Sequence, residues 1–196
     1  MKIIKLLILL LVSCSLSAKA GVVKISGSLK QFGLDRVSMN SDGIAAEVYH
    51  DRTIEIILDS NGRFDLKLKL KQPAYYKVGH NTLYLTPGDD LEIIFNRNTT
   101  KTTFNGKGIE ANNYLRNSAK LSGCEIAKIG RELNEFGLPK EKVSFEVYRY
   151  KVDSIVDASL DALAHLTAVT PEFRELEQIR LEACRLATYL DYFSVG

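Results

Sequence analysis

Residues 63 to 71 read RFDLKLKLK. Phe64, Leu66, Leu68 and Leu70 face one way, and Arg63, Asp65, Lys67, Lys69 and Lys71 the other. Strict alternation of this kind predicts a β-strand with one buried and one wet face. TIEIILD (53 to 59) precedes it, followed by Ser60-Asn61-Gly62. Asn-Gly supplies the positive φ values of a type I′ turn, so the spacing predicts a hairpin over 53 to 71. Further strands are expected at 22 to 29, 35 to 40, 44 to 50, 74 to 79, 82 to 86, 91 to 95 and 101 to 104, separated by turn residues such as Ser41-Asp42-Gly43 and Pro87-Gly88. Many short strands at spacings of about ten residues predict an antiparallel sandwich or barrel.

After Asn105-Gly106-Lys107-Gly108 the apolar period changes from two to 3.6. A first helix is expected over 109 to 136, with Leu115, Ala119, Ile126, Ile129, Leu133 and Phe136 as its stripe and Gly137-Leu138-Pro139 as its stop. A second is expected over 141 to 167, with Phe145, Tyr148, Val152, Ile155, Val156, Leu163 and Leu166 inward. The third begins at Thr170-Pro171-Glu172, which places a cap, a first-turn proline and an acid in the order a helix start favours. Phe173, Leu176, Ile179, Ala183, Leu186, Ala187, Leu190 and Phe193 give it a wide apolar face that must pack on the other helices or on something missing. A truncated chain is one reading of that face. The expected class is therefore α+β: an antiparallel β-sandwich over 21 to 107, then a three-helix segment over 108 to 194.

The first twenty residues stand apart from this fold. A short basic start, MKIIK, precedes the apolar run 6 to 12 and then small residues. The run is far below the ~20 residues that span a bilayer, and the pattern reads as a secretory signal peptide. That places the chain in the periplasm or attached to the outer membrane. Two cleavage readings compete. Ala18-Lys19-Ala20 before Gly21 suits ordinary signal peptidase, whereas Leu11-Val12-Ser13-Cys14 resembles a lipobox, in which Cys14 becomes the lipidated first residue and anchors the protein without spanning the membrane. Of 26 basic residues, Lys2, Lys5 and Lys19 belong to residues 1 to 20, which leaves 23 against 24 acidic ones. No basic patch then argues for nucleic acid.

The candidate sites are few. Asp89 and Asp90 in LYLTPGDDLEIIF are adjacent, so on a strand they would point to opposite faces and could not flank one bond. Thr86-Pro87-Gly88-Asp89 instead fits a type II turn, with Asp89 accepting local backbone donors. Cys124 and Cys184 lie sixty residues apart, so they form no CxxC or zinc pattern. Structural thiols, a disulfide and a redox-active pair all remain open for them. His50, His80 and His165 are scattered, which gives no metal-ligand spacing. Lys107 between Gly106 and Gly108 falls well short of a phosphate-binding loop, and no motif implies a cofactor. Tyr75, Tyr76 and Tyr84 could form an aromatic platform for a sugar, although adjacent tyrosines must face opposite sides.

Three stretches carry a resemblance: LDSNGRFDLKLKLKQPAYYKV, NTLYLTPGDDLEIIF and TTFNGKGIEANNYL. Together they resemble the N-terminal β-sandwich, of unassigned function, and the first helix of a family of Gram-negative envelope proteins. In that family a thioredoxin-like domain of the thiol–disulfide interchange (TlpA-like) type usually follows. The likeness covers roughly the first 120 residues. The more specific motifs are Tyr-Leu-x-Pro-Gly-Asp and Phe-x-Gly-x-Gly-x-Glu-x-Asn. The family's catalytic CxxC has no counterpart here, so the resemblance carries no redox residue to this chain. It implies a non-catalytic accessory module whose partner is a thioredoxin-like domain or another envelope protein, with contact expected around Leu186, Leu190 and Phe193. The competing readings are a glycan- or peptide-binding sandwich and a fragment of a full-length thiol–disulfide oxidoreductase.

Overall fold

The computed structural model describes residues 20–41, 53–118, 121–122, 125–126 and 144–194. Eight of its strands form two four-stranded sheets: β1 Gly21–Ser28, β2 Arg36–Ser41, β3 Thr53–Ile57, β4 Arg63–Leu70, β5 Ala74–Val78, β6 Asn81–Leu85, β7 Asp90–Ile94 and β8 Thr103–Lys107. One sheet runs β4-β1-β7-β8 and the other β3-β2-β5-β6. The helices are α1 Ile109–Asn117, α2 Phe145–Ala164 and α3 Pro171–Ser194. The fold is α+β, with the strands of the two sheets before the helices in the chain.

The sandwich follows from alternation. In β4 Phe64 and Leu70 are buried, Leu66 and Leu68 partly so, and the intervening charged residues are exposed. The inward side chains of both sheets share one core, with Val23, Ile25, Leu91 and Ile93 from one sheet and Met39, Val78, Leu83 and Leu85 from the other. At roughly 1.5–3 kcal/mol for each fully buried aliphatic side chain, this layer is the principal source of the domain's stability.

Three expectations need correction. First, the sandwich is not wholly antiparallel, because β1 and β7 pair in parallel, Lys24 opposite Asp90 through Ser28 opposite Ile94. Second, residues 53 to 71 do not form a hairpin. β3 pairs with β2 and β4 pairs with β1, so the two strands lie in different sheets. The Asp59–Gly62 turn forms, closed by the Gly62 N–H to the Asp59 carbonyl at 2.9 Å, with the Asp59 carboxylate accepting the N–H groups of Asn61 and Arg63 at 2.8 Å each. These bonds reverse the chain without choosing a partner for either arm. Leu58 stays bonded to Asp35 beside β2, while the Gly62 carbonyl accepts from Leu29 at the end of β1.

Third, the helix expected over 109 to 136 ends at Asn117. Ser118 has extended backbone, and its hydroxyl donates to the Leu115 carbonyl at 3.2 Å, a local bond that competes with helix continuation. Two short strands follow, β9 Leu121–Ser122 and β10 Glu125–Ile126, paired antiparallel. The expected stripe residues Ala119, Ile129, Leu133 and Phe136, the expected strand 44 to 50, and the signal region through residue 19 lie outside the described residues.

α2 and α3 form an antiparallel pair. Ser144 caps α2 by accepting the Val147 N–H, and the Thr170 hydroxyl accepts the Phe173 N–H at 3.1 Å, as the Thr-Pro-Glu start of α3 predicts. Tyr148, Val152 and Val156 of α2 pack on Leu181 and Cys184 of α3. The buried face of α3 is thus Phe173, Glu177, Leu181, Cys184 and Thr188, whereas most of the apolar face expected from sequence points outward.

Candidate functional site

The sandwich and the helices meet at one joint, built from the motifs that looked most specific in the sequence. β6 is an edge strand, with its outer backbone open to pairing. Asn112 of α1 closes it. Its side-chain oxygen accepts the Tyr84 N–H at 2.9 Å, and its amide donates to the Tyr84 carbonyl at 3.0 Å and to the Gly108 carbonyl at 2.9 Å. One buried amide thereby imitates a further strand of that sheet. Glu110, two residues earlier, accepts the Thr167 and Ala168 N–H groups at 2.7 and 2.6 Å, fastening the α2–α3 loop to α1.

Asp89 belongs to this joint. The Thr86–Asp89 turn forms as predicted: the Asp89 N–H donates to the Thr86 carbonyl at 3.0 Å, and Gly88 has φ 89°, the left-handed value a type II turn requires. The Asp89 carboxylate accepts the Thr86 N–H at 2.7 Å and is 4% exposed. It lies against Gly108, where any Cβ would stand 2.9 Å from the carboxyl group. Burial pushes the Asp89 carboxyl above its ordinary value, opposed by the Thr86 N–H and the Lys107 ammonium. Asp90 points outward and pairs with Lys24 at 3.4 Å. The two acids therefore do separate structural jobs and share no reacting centre.

Lys107 donates to the Gly88 carbonyl at 3.1 Å, and the Asp89 carboxylate lies close enough to feel its charge. An ammonium already facing a carboxylate does not suit a phosphate. An open groove of about 650 Å³ runs between α1 and the α2–α3 loop, lined by Lys107, Ile109, Glu110, Asn113, Asn117 and Leu166 among others.

The tyrosines do not form a free platform. Tyr76 points into the sandwich core. Tyr75 and Tyr84 stand opposite each other on the other face, rings 4.9 Å apart, and α3 covers them, with Phe173 4.7 Å from Tyr84. Below Phe173 the Tyr75 hydroxyl donates to Glu177 at 2.6 Å, and Arg180 grips the same carboxylate with two bonds of 2.8 Å. Glu177 is fully buried. Burial, reinforced by the Glu177 charge, drives the Tyr75 phenol far above its ordinary value. Burial alone would lower Arg180, but the bonds and charge of Glu177 outweigh it and hold the guanidinium above its usual value. These polar groups saturate one another, which is the arrangement of a latch between helix and sheet.

Further along the helix pair, Arg185 bridges to Asp153 and Asp157 of α2 at 3.0 and 2.6 Å, and Tyr189 also donates to Asp153. Arg174 donates to the carbonyls of Leu163 and Leu166, closing the C-terminal end of α2. Cys184 lies in the α2–α3 interface and is buried there. Cys14 and Cys124 lie outside the described residues, as does His50. His80 sits in a turn and His165 at the end of α2. Among the described residues no three His, Cys, Asp or Glu side chains converge to hold a metal ion. No helix there is long and apolar enough to cross a membrane.

What remains open is the outward face of α3. Ile179, Leu186, Leu190 and Phe193 are 58%, 62%, 71% and 64% exposed. The Phe193 ring touches Phe145 at 4.9 Å and Tyr192 at 5.2 Å, yet most of it stays in solvent. The sequence pointed to Leu186, Leu190 and Phe193, but it gave no sign of Glu177, Arg180 or Arg185. Asn112 was visible only as the last letter of the Phe-x-Gly-x-Gly-x-Glu-x-Asn motif. Neither family models, nor curated proteins, nor solved structures gave a match to this chain.

Proposed function

We propose that this protein is a non-catalytic interaction module of the bacterial cell envelope. It works by packing against another protein through the outward face of α3. The observation that carries this reading is the row of large apolar side chains left in solvent on one face of a helix whose other face is fully packed. The groups that resemble reactive residues support it from the other side. Asp89, Lys107, Glu110, Tyr75 and Glu177 are each committed to a fold contact. The sugar-platform alternative loses support because Tyr75 and Tyr84 lie under α3, and because the outer face of the β4 sheet is lined by Arg63, Lys67, Lys69 and Lys24.

The signal-like N-terminus supports a module that works outside the cytoplasm, either free in the periplasm or held by a lipid on Cys14. The resemblance makes a thioredoxin-like domain the expected client, which the module would support or position.

Dithiothreitol-driven reduction of insulin by the purified chain, alone and with a thioredoxin-like domain added, tests this reading. No turnover is expected from the chain alone. A change in the rate of the added domain is expected, and it should disappear in Leu186→Glu/Leu190→Glu. Turnover by the chain alone would overturn the non-catalytic reading.

A further inference from the structure

The exposed residues of α3 have an order of their own. Leu176, Ile179, Ala183, Leu186, Leu190 and Phe193 are all exposed, and their spacings are three, four, three, four and three. That is the a/d spacing of a helix that packs along another helix. It is separate from the buried set Phe173, Glu177, Leu181, Cys184 and Thr188, which lies on the opposite side of the same helix. α3 therefore carries two seams. α2 occupies one; β10 also lies against α3, and the side chains of the second seam stay in solvent.

The second seam is also palindromic. Turned end for end, the spacing reads the same, so an antiparallel copy of α3 brings every member of the row opposite another. Leu176 meets Phe193, Ile179 meets Leu190, and Ala183 meets Leu186. Each layer then joins side chains of compatible size, with the smallest residue, Ala183, against a leucine. A parallel copy would instead stack Ala183 on Ala183 and leave that layer underfilled. The flanking charges agree with the antiparallel register. Glu182 comes level with Ala187 of the second copy and Asp191 with Gln178, so no carboxylate faces another. The helix dipoles also oppose each other favourably.

We propose that this seam is a homodimer interface, in which two copies of the chain pack α3 against α3 antiparallel about a twofold axis between Cys184 and Arg185. The proposal rests on the reading of this face as a protein-binding surface and names its occupant. The exposed fractions of the row amount to on the order of 600 Å² of side chain per copy, at the upper end of what a monomer leaves in solvent. Two such faces bury about 1,200 Å², the lower edge of the range for specific interfaces. A dissociation constant on the order of 1–100 μM is expected.

The test places the photoreactive residue benzoylphenylalanine at Leu190 in the purified full chain and maps the adducts by mass spectrometry. The expected result is a dimer-mass adduct at the peptide around Ile179, with sedimentation showing dimer at about 100 μM. Leu186→Glu should cut the adduct at least tenfold, with melting temperature unchanged in dilute protein, where wild type is also monomeric, because Leu186 lies in solvent within one copy. A dimer adduct that maps away from Ile179, or one that Leu186→Glu does not reduce, overturns the antiparallel seam. A monomer without adduct at that concentration overturns the dimer but leaves the face open to a different protein. Adducts formed only within one chain overturn both the dimer and the protein-binding reading, because the face would then be covered from inside.

Discussion

Asn112 does with one side chain what a further strand would otherwise do. Its three bonds satisfy the Tyr84 N–H, the Tyr84 carbonyl and the Gly108 carbonyl, and the residue is fully buried. Asn112→Ala leaves those backbone groups buried and unpaired, so a loss of about 2–4 kcal/mol is expected in urea unfolding. A loss under about 0.5 kcal/mol would mean that water or backbone movement replaces the amide. Asp89 makes a different case, because its shape matters more than its charge. Its folded-state carboxyl is raised above the ordinary 3.8 by burial, so the native chain holds the proton more tightly than the unfolded one. The stability gained from that proton is complete below 3.8 and is lost as pH rises through the raised value. Asp89→Asn keeps an acceptor for the Thr86 N–H without the buried charge. It should gain on the wild type as pH rises through that window and then run parallel to it. Asp89→Ala, which strands the N–H, should cost about 1–2 kcal/mol below that window and less above it. If the Asp89→Asn difference does not change with pH, the carboxyl is not raised.

At the scale of elements, the latch between β5 and α3 has an order of importance among its parts. Arg180 keeps some contact with solvent, its side chain 28% exposed, while Glu177 has none. Arg180→Ala therefore strands a buried carboxylate and should cost about 3–5 kcal/mol, more than Glu177→Gln, which leaves an arginine able to reach water. The double variant should be less damaging than the two single losses combined, by a coupling of about 1–3 kcal/mol. Additive losses would show that the two residues stabilise the joint separately. The same helix explains what the sequence did and did not convey. Its start at Thr170-Pro171-Glu172 was legible because capping is local chemistry. Its inward face was not, because that face reads Phe, Glu, Leu, Cys, Thr and looks mixed, while the outward one reads Leu, Ile, Ala, Leu, Leu, Phe and looks like a core. Only the partners supplied by Tyr75 and Arg180 make a buried glutamate tolerable, and they come from β5 and from α3 itself. The misplaced hairpin has a related cause. Asp59–Gly62 specifies a reversal through its own hydrogen bonds, but sheet membership is decided by β1 and β2, which are distant in sequence. The β4 strand itself was legible because alternation is a property of single strands.

At the scale of the molecule, the described residues pack in three clusters: the sandwich core, the joint around Tyr84 and Phe173, and the α2–α3 interface. The joint is the narrow one, and it is rich in tyrosine. Burial pushes Tyr84 up to about 12 and drives Tyr75 and Tyr114 further upward. Tyr189, along the helix pair beside Asp153, is also pushed up to about 12, by burial first and then by that carboxylate. In the unfolded chain these phenols ionise near 10. The native protein therefore holds more protons than the unfolded one between 10 and 12, and the tyrosine contribution to stability, complete below 10, is lost across that interval. Each fully shifted phenol can contribute up to about 1.4 kcal/mol per pH unit. Tyr189 gives less because it is only partly buried. Three of the four shifted phenols lie at the joint, so base should act there first and release the helices from the sandwich. The 295 nm absorbance should then show a smooth phase near pH 10 and a steeper one above it. The second phase should coincide with loss of aromatic circular dichroism. Tyr75→Phe removes the phenol with the highest barrier to ionisation and should weaken the pH dependence of that second phase. A single smooth titration near pH 10, with the aromatic signal intact, would show that the joint does not hold its tyrosines from water.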